Sequence, residues 1–482
     1  MLCRRGYELQ GLFRVREPLI MQFTIVGIVF LLAAICSAIF WQRALLVVLA
    51  VASPFVYTVA VNTAAGSVPV FEMVAAVTTV VAFINLSRGA RVASIGPFAV
   101  LGAFVAWAAV GAAVMPVLFA GLPVLTPRAG IDVGVVAPSP LTSGLPQLAQ
   151  VIYLVVSAGA ALFVAQRKES AVPALSIAFF VGAAVNALYF MIPSATPVLD
   201  ELLRNSVNAG YNINEKRFFG AFGEPSVASM FSVTALVFAF YRIPLARAAE
   251  RVIQAITLVL AVVESVVSVS GTAALSIIAL GGCWLIYYGA GFMFRRRRLP
   301  PLLGIVVLLV VFVFATPNRL SAPIYDTIFY KTDTSSFTNR TASDLFSLHL
   351  VGDTFGLGVG LGTNRPSSFV TFVLSTTGVI GFGLLVVLVV FCLRRAWPVL
   401  ETRSAAAALV ALIVTKAVAV PDLSTPLFWV AIGVCLQSAY FAQKAQVDPA
   451  GAASVSQDLA LAQGSSFIPT QNIGIREISD LC

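Results

Sequence analysis

Long apolar runs separated by short polar segments dominate the pattern of this chain. A helix that crosses the hydrocarbon core of a membrane needs about 20 mostly apolar residues, and about thirteen segments approach that length. They are residues 20–40, 44–61, 68–86, 95–120, 148–165, 171–192, 225–241, 252–269, 272–294, 302–316, 369–393, 405–420 and 427–441. We therefore predict an all-α, polytopic integral membrane protein with about 12–13 transmembrane helices.

The composition excludes a soluble globular protein. Hydrophobic residues make up 59% of the chain, charged residues 11%, and the mean hydropathy is +0.96, whereas soluble domains are about 45–50% apolar and 25% charged. The first apolar run is too long for a cleavable signal peptide and is interpreted as a span. The six cysteines lie in apolar runs or at the chain ends, which favours neither a disulfide framework nor a metal site.

The net charge of +9 does not indicate a nucleic-acid partner, because the basic residues are scattered beside spans instead of forming one basic face. They lie between alternate pairs of spans, which by the positive-inside rule places them in the cytoplasm. The loops that remain are predicted to be external. These are residues 121–147, 193–224, 270–271, 317–368 and 421–426.

This topology gives one transmembrane catalytic domain, residues 20–441, with sizeable periplasmic loops at 193–224 and 317–368. Residues 442–482 are polar and aperiodic, and are expected to form a flexible cytoplasmic tail. Residues 1–19 form an N-terminal leader that contains four arginines although the alternation places it outside. Either the first hairpin is miscounted or the natural start is Met21.

Two polar segments on the predicted external side carry the candidate chemistry. One contains Arg340, His349 and Asp353, then the glycine-rich residues 358–362, and then Arg365. Arginine presents a planar fork of donors that matches phosphate oxygens, so a clamp for a lipid diphosphate is a reasonable hypothesis. No strand precedes the glycines, and a nucleotide-binding loop is therefore not indicated.

The second segment, residues 215–226, contains Arg217 and Glu224 and opens an apolar run. A helix-start signal at Thr196 and Pro197 precedes it, followed by leucines and valines on one face. This pattern predicts a short helix lying on the membrane surface.

Together the two segments resemble the O-antigen ligase and polysaccharide polymerase superfamily of bacterial inner-membrane proteins. That family has an arginine just before a Gly-Phe stretch that opens a span, as at Arg217. After a large external loop it has an arginine leading an amphipathic helix, as at Arg340, then a Gly-Val-Gly-x-Gly turn, a polar pair and a span beginning with Gly-x-x-Gly. Residues 358–362, Ser367 with Ser368, and residues 378–381 match these in order.

The resemblance implies a metal-independent, inverting glycosyl transfer at the periplasmic face of the bacterial inner membrane, without a cofactor. The donor is an oligosaccharide on undecaprenyl diphosphate, and the acceptor is a growing polysaccharide of the exopolysaccharide or O-antigen type. Chain-length regulators, export proteins and membrane lipid are the further partners it suggests. Arg217, Arg340, Arg365 and Ser367 are the expected substrate-binding residues.

Three residues are candidates for the general base that would assist the acceptor hydroxyl: Glu224, His349 and Asp353. Glu224 could instead stabilise a helix N-terminus. His349, the only histidine, is flanked by leucines and a phenylalanine, so a packing role is the favoured interpretation. Ligases of the family carry a His-Asn pair where this chain has Ser367 and Ser368, which favours a polymerase over a ligase.

Glu72, Glu264 and Lys416 lie inside apolar runs, where ionisable groups are costly and are functional hypotheses by default. They support an alternative of a different class, a transporter or flippase for lipid-linked oligosaccharides.

Overall fold

A computed structural model describes residues 21–63, 66–90, 95–126, 138–167, 170–203, 218–268, 270–295, 335–438 and 440. The predicted span at 302–316, the leader and the tail lie outside these described residues, as does Arg217.

The described chain is built almost entirely of helices. They are α1 Ile25–Phe40, α2 Gln42–Ala52, α3 Val70–Ser87, α4 Ile95–Leu118, α5 Leu145–Ala165, α6 Ala171–Met191, α7 Thr196–Leu203, α8 Pro225–Arg242, α9 Ala248–Val267, α10 Gly271–Arg295, α11 Ser335–Asp353, α12 Phe369–Ala396, α13 Leu400–Val418 and α14 Pro426–Leu436. Six segments are long and apolar enough to cross a membrane: α3, α4, α5, α6, α12 and α8 with its 3₁₀ extension to Leu245. This confirms the all-α membrane architecture.

Five short strands form two small antiparallel sheets at one end of the helix bundle. β1 (Gln22–Phe23), β2 (Val59–Thr63) and β3 (Gly66–Pro69) pair in that order, and β4 (Pro123–Val124) pairs with β5 (Ser139–Pro140). Thr24 joins the first sheet to α1, because its hydroxyl donates to the carbonyl of Val59 and accepts from the N–H of Gly27.

The expected helix over residues 44–61 is wrong in its second half. α2 ends at Ala52, and Val59–Thr63 forms β2 instead. Pro54 explains the break, because it has no N–H to continue the hydrogen bonds of a helix and its ring clashes with the preceding turn. The other described runs are mainly helical, although residues 22–23 and 68–69 belong to β1 and β3. α7 begins at Thr196 as predicted.

The predicted external segments meet at the end that carries the two sheets. The hydroxyl of Thr58 donates to the carbonyl of Leu203 at 2.8 Å, and the N–H of Arg365 donates to the carbonyl of Leu125 at 2.9 Å. At the opposite end, Arg242 pairs with Glu250 at 2.7 Å. The paired helices therefore leave the polar loops together at one end of the bundle, called here the loop end.

α8 lies at the centre of the bundle, packed between α9 and α13, and most of its residues are buried. Peripheral helices instead expose large apolar side chains, such as Val259 and Val266 on α9. Such apolar exposure suits a lipid environment, where outward-facing side chains need no water.

Candidate functional site

Tyr57 is the side chain that connects the two predicted polar segments. It lies between α2 and β2, half-buried, and its phenol makes a hydrogen-bonding interaction with Glu224. Arg365 and Asp422 both lie within electrostatic range of the same phenol. Residues 57, 224, 365 and 422, far apart in the chain, thus share one site at the loop end.

The pKa of Tyr57 is raised well above its usual value near 10. Burial is the main cause, followed by the negative charge of Glu224, while the positive charge of Arg365 opposes the shift. A phenol of this kind stays protonated at neutral pH. It can therefore donate a hydrogen bond to the Glu224 carboxylate and hold it in place.

A glycine turn brings Glu224 to this position. Gly220 and Gly223 have φ of 51° and 69°, which glycine adopts at little cost. A Cβ at Gly223 would lie 3.0 Å from the Tyr57 ring, so the turn packs directly on that ring. Asn186 of α6 holds the turn in place, because its Oδ1 accepts a hydrogen bond from the N–H of Ala221 at 3.1 Å.

Glu224 is also the N-cap residue of α8, with Pro225 in the first helical position. Its carboxylate accepts a hydrogen bond from the hydroxyl of Ser226 at 3.3 Å. Glu224 thus stands at the N-terminus of α8, where its side chain makes no capping hydrogen bond to the backbone.

The glycine-rich residues 358–362 pack against helices. A Cβ at Gly360 would lie 2.9 Å from the carbonyl of Gly111 on α4, and one at Gly362 would lie 2.8 Å from the carbonyl of Pro146 on α5. These glycines therefore allow the loop to approach the neighbouring helices closely.

α12 is broken at Gly378, which has φ 69° and ψ −175°. The N–H groups of Val359 and Gly360 donate to the carbonyls of Ser375 and Thr376, at 2.8 and 3.0 Å, and Trp107 Nε1 donates to the carbonyl of Thr377 at 2.7 Å. In an unbroken helix those carbonyls would accept from residues 379–381. The loop and α4 therefore replace the missing helical bonds, as helix breaks at membrane depth require.

The motif expected to begin a span therefore lies inside one. α12 starts at Phe369, and its N-cap Ser368 accepts from the N–H of Thr371. Gly378 is nine residues further along.

Two residues that the sequence analysis did not single out hold this region together. Asn364 is fully buried, donates to the hydroxyls of Ser347 and Ser375, and accepts from the N–H of Leu125. It joins α11, α12 and the residue that follows β4, and the neighbouring Arg365 side chain is exposed.

The second is Asp344 of α11. Its Oδ1 accepts hydrogen bonds from the N–H groups of Ser367 and Ser368 and from the hydroxyl of Thr371, at 2.8, 3.0 and 2.8 Å. A carboxylate at this position accepts from donors that would otherwise be unpaired. Its negative charge also interacts favourably with the positive N-terminal end of the α12 dipole. Ser367 is buried and bound through its backbone, which gives it a structural position beside the site.

The loop between α13 and α14 carries Asp422, which lies within electrostatic range of Tyr57. Fully buried Lys416 donates to the carbonyls of Val420 and Asp422 and to the hydroxyl of Thr425. Its ammonium also lies 4.7 Å from the centre of the Phe369 ring. Lys416 therefore has a clear structural role, because it holds the loop that carries Asp422.

Glu72 lies within electrostatic range of Asp422. It is in the first turn of α3, only 4% exposed, and it interacts electrostatically with Asp422 and with Tyr153 of α5. One of its carboxylate oxygens, Oε2, has no hydrogen-bond partner among the described residues. Glu72 and Glu224 stand at the N-termini of α3 and α8, and such termini favour anions.

The predicted site residues are only partly brought together. Glu224 and Arg365 meet at Tyr57. Arg340 is half-buried on α11, one turn before Asp344. His349 and Asp353 are exposed on the same helix and are not among the described partners of Tyr57. The packing role expected for His349 is wrong, because Leu350, not His349, is buried at that level of the helix.

Chemically, the site offers a carboxylate held by a phenol, an exposed guanidinium and several helix N-termini. The carboxylate can accept a proton from a hydroxyl, and the cationic groups can bind phosphate oxygens. No protein-family model matches the chain, and no curated protein sequence is significantly similar to it.

Proposed function

We propose that the protein is a polymerase of lipid-linked glycan repeat units. In this function it joins oligosaccharides carried on undecaprenyl diphosphate, at the periplasmic face of a bacterial inner membrane. The observation that carries the proposal is the position of Tyr57, which bonds Glu224 and lies in range of Arg365 at the loop end. A proton acceptor and a phosphate-binding group thus come from the two segments that resemble the polymerase superfamily.

In the proposed reaction, a hydroxyl of the acceptor glycan attacks the anomeric carbon of the donor. The new C–O glycosidic bond forms as the bond from that carbon to the diphosphate oxygen breaks. Glu224 accepts the proton of the attacking hydroxyl. Arg365 and the nearby helix N-termini stabilise the charge that develops on the departing diphosphate. Arg340 and Arg217 remain proposed members of the phosphate clamp.

Tyr57 is a positioning residue in this scheme. It keeps Glu224 oriented toward the site, and its own proton is held too firmly to be released at neutral pH. Asp422 adds a second carboxylate near Tyr57, and its acceptor oxygens suit hydroxyl-rich substrates.

A transporter or flippase for the same lipid-linked substrates is the second candidate. Buried carboxylates on α3 and α9 favour it, since Glu72 and Glu264 are 4% and 5% exposed. Lys416 no longer supports it, because its bonds to the loop of residues 420–425 account for its burial. For a ligase, residues 367 and 368 give no support, because both serines serve the start of α12.

The test uses Arg365→Lys, which keeps the positive charge but loses the planar fork. Loss of one stabilising donor costs about 10²–10³ in rate in other enzymes, so long-chain polymer should fall sharply at unchanged protein level. Single repeats should accumulate on the outer leaflet, still lipid-linked and accessible to an added glycosidase. Arg395→Lys, at the other end of α12, is the matched control and should leave the glycan ladder unchanged.

The leaflet on which intermediates accumulate separates the two functions. Intermediates protected from the glycosidase would indicate failed transport and would refute the polymerase proposal.

A further inference from the structure

α9 has a polar face turned into the protein and an apolar face turned outward. Six residues recur at intervals of three and four and therefore lie on one side of the helix: Glu250, Gln254, Thr257, Ala261, Glu264 and Ser268. Gln254, Thr257 and Ala261 are 0% exposed and Glu264 is 5% exposed. Val259 and Val266, on the other side, are 61% and 71% exposed. The buried side of this helix thus contains an ionisable group.

Neither carboxylate oxygen of Glu264 has a hydrogen-bond partner among the described residues. The polar group that interacts with it is the amide of Asn186 on α6. Asn186 Nδ2 is itself without a hydrogen-bond partner among the described residues, so the amide interacts with the carboxylate without a hydrogen bond of good geometry. Asn186 Oδ1 is already engaged with the N–H of Ala221.

No cation on the neighbouring helices compensates Glu264. α6 has no charged residue, and the other charged residues of α8 and α9 are Arg242, Glu250 and Arg251, all at the opposite end. Two further titratable side chains belong to the elements packed against Glu264. Tyr189 lies one turn after Asn186 on α6, and Glu224 precedes α8 at the loop end. An ionised carboxylate without a counter-ion is very costly at such a position.

Hydroxyl groups connect this position to the loop end. Ser268, one turn beyond Glu264, pairs with Ser229 of α8 at 3.3 Å, and Ser265 donates to Ser232 at 3.0 Å. On the other side of Glu264 the interface has an apolar layer first and, further along α9, the buried polar side chains of Thr257 and Gln254. Phe179, Phe238 and Ala261 are all fully buried there and belong to one hydrophobic cluster.

We propose that Glu264 is a proton-binding site inside the membrane, open to the loop end through the serines and closed to the opposite end by the aromatic layer. The proton neutralises the carboxylate and gives it an O–H donor for Asn186 or a water molecule. This site is separate from the Tyr57 site and does not depend on the glycan-polymerase proposal.

The experiment is modification by dicyclohexylcarbodiimide, an apolar reagent that reacts with protonated carboxyl groups. The acid O–H adds across one C=N bond of the reagent, and the product rearranges to a stable acylurea that peptide mass spectrometry locates. In the full-length protein in lipid vesicles, Glu264 should be labelled near neutral pH. Glu250, which is ion-paired with Arg242, should not be.

Sidedness is tested in sealed vesicles with separately buffered compartments. Labelling of Glu264 should fall when pH is raised on the loop-end side, and should not respond to pH on the other side. Dependence on the other side, or on both sides, would overturn the proposed closure. Loss of labelling on adding Na⁺ at constant pH would assign the site to a metal cation and overturn the proton assignment.

Infrared spectroscopy gives a readout that does not need the reagent. The wild-type protein should show the carbonyl stretch of a buried carboxylic acid, and Glu264→Gln should remove that component of the spectrum. Glu401→Gln, in the exposed first turn of α13, is the control and should retain it. The proton site would be refuted if Glu264→Gln left the infrared spectrum unchanged and the reagent did not label Glu264 in the wild-type protein. The labelling result does not depend on how well the variant folds.

Discussion

The main-chain N–H of Val379 donates to the carbonyl of Gly356 at 2.8 Å, across the break in α12. This bond completes an exchange in which the glycine-rich loop and the broken helix satisfy each other's backbone groups. The conformation of Gly378 makes the exchange possible, since a left-handed residue turns the following N–H away from the helix axis.

Gly378→Ala should therefore destabilise the protein strongly. A Cβ at this position would lie within 2.3 Å of the Gly356 carbonyl, and the left-handed φ adds strain. The combined cost is about 2–5 kcal/mol, measured as a lower unfolding temperature in detergent. Gly383→Ala is the control on the same helix, where nothing lies within 4 Å of the new Cβ. Equal unfolding temperatures for the two variants would contradict the described break.

Asp344→Ala should loosen the start of α12. The variant leaves the N–H groups of Ser367 and Ser368 and the hydroxyl of Thr371 without their acceptor. Unpaired buried donors cost about 1–3 kcal/mol each, so faster hydrogen exchange of residues 367–371 is expected. Asp344→Asn retains an acceptor oxygen and should recover most of the protection. Asp353→Ala, on the exposed end of α11, should have no effect.

Glu224→Gln should remove most of the polymer, because the amide cannot accept the proton of the acceptor hydroxyl. General-base assistance contributes about 10²–10⁴ in rate. His349→Asn and Asp353→Asn should leave substantial activity, since both side chains are exposed and outside the described interactions of Tyr57. A normally inserted but inactive His349→Asn protein, beside an active Glu224→Gln protein, would assign the base to His349.

Tyr57→Phe tests the positioning role of the phenol. It should reduce polymer formation at every pH from 6 to 9 by a similar factor, because the raised pKa keeps Tyr57 protonated over that whole range. A loss confined to the alkaline side would show that Tyr57 itself titrates during the reaction.

The same pKa shift has a stability consequence of defined sign. Folding holds the Tyr57 proton more firmly than the unfolded chain does, so stability is retained below about pH 10 and lost as pH rises above it. Unfolding temperatures of the wild-type protein should fall more steeply above pH 10 than those of Tyr57→Phe. A steeper fall for the variant would have the wrong sign for a raised pKa.

Membrane topology can be checked with single cysteines in a background without the native ones. An impermeant thiol reagent added to intact spheroplasts should label Asp353→Cys, at the loop end, but not Arg395→Cys, at the opposite end of α12. Both side chains are exposed in the structure. Labelling of Arg395→Cys alone would reverse the orientation and place the Tyr57 site in the cytoplasm.

The sequence was sufficient for the membrane architecture because each span is a local property. Hydrophobic length decides whether a segment crosses the membrane, and no distant contact changes that. The error at residues 44–61 arose where a local signal was overlooked, since Pro54 marks the end of α2.

The site was predictable only in part, because contacts between distant residues assemble it. Glu224 and Arg365 belong to recognisable motifs. Tyr57, Asp344 and Asn364 do not, and the bond between Asn364 and Leu125 spans 239 positions of the chain. The hydrophobic periodicity of a sequence does not indicate which distant residues form a hydrogen bond. Asp344 had one local signal, its position one turn after Arg340.

The partners of the broken turn in α12 also imply an order of events during synthesis. Trp107, Val359 and Gly360 all precede Ser375, Thr376 and Thr377 in the chain. Gly356, which accepts from the N–H of Val379, precedes it as well, so every partner that the break requires has left the ribosome before the broken turn does. α12 can reach its final form as it emerges, without exposing bare carbonyls to lipid while it waits for a later segment.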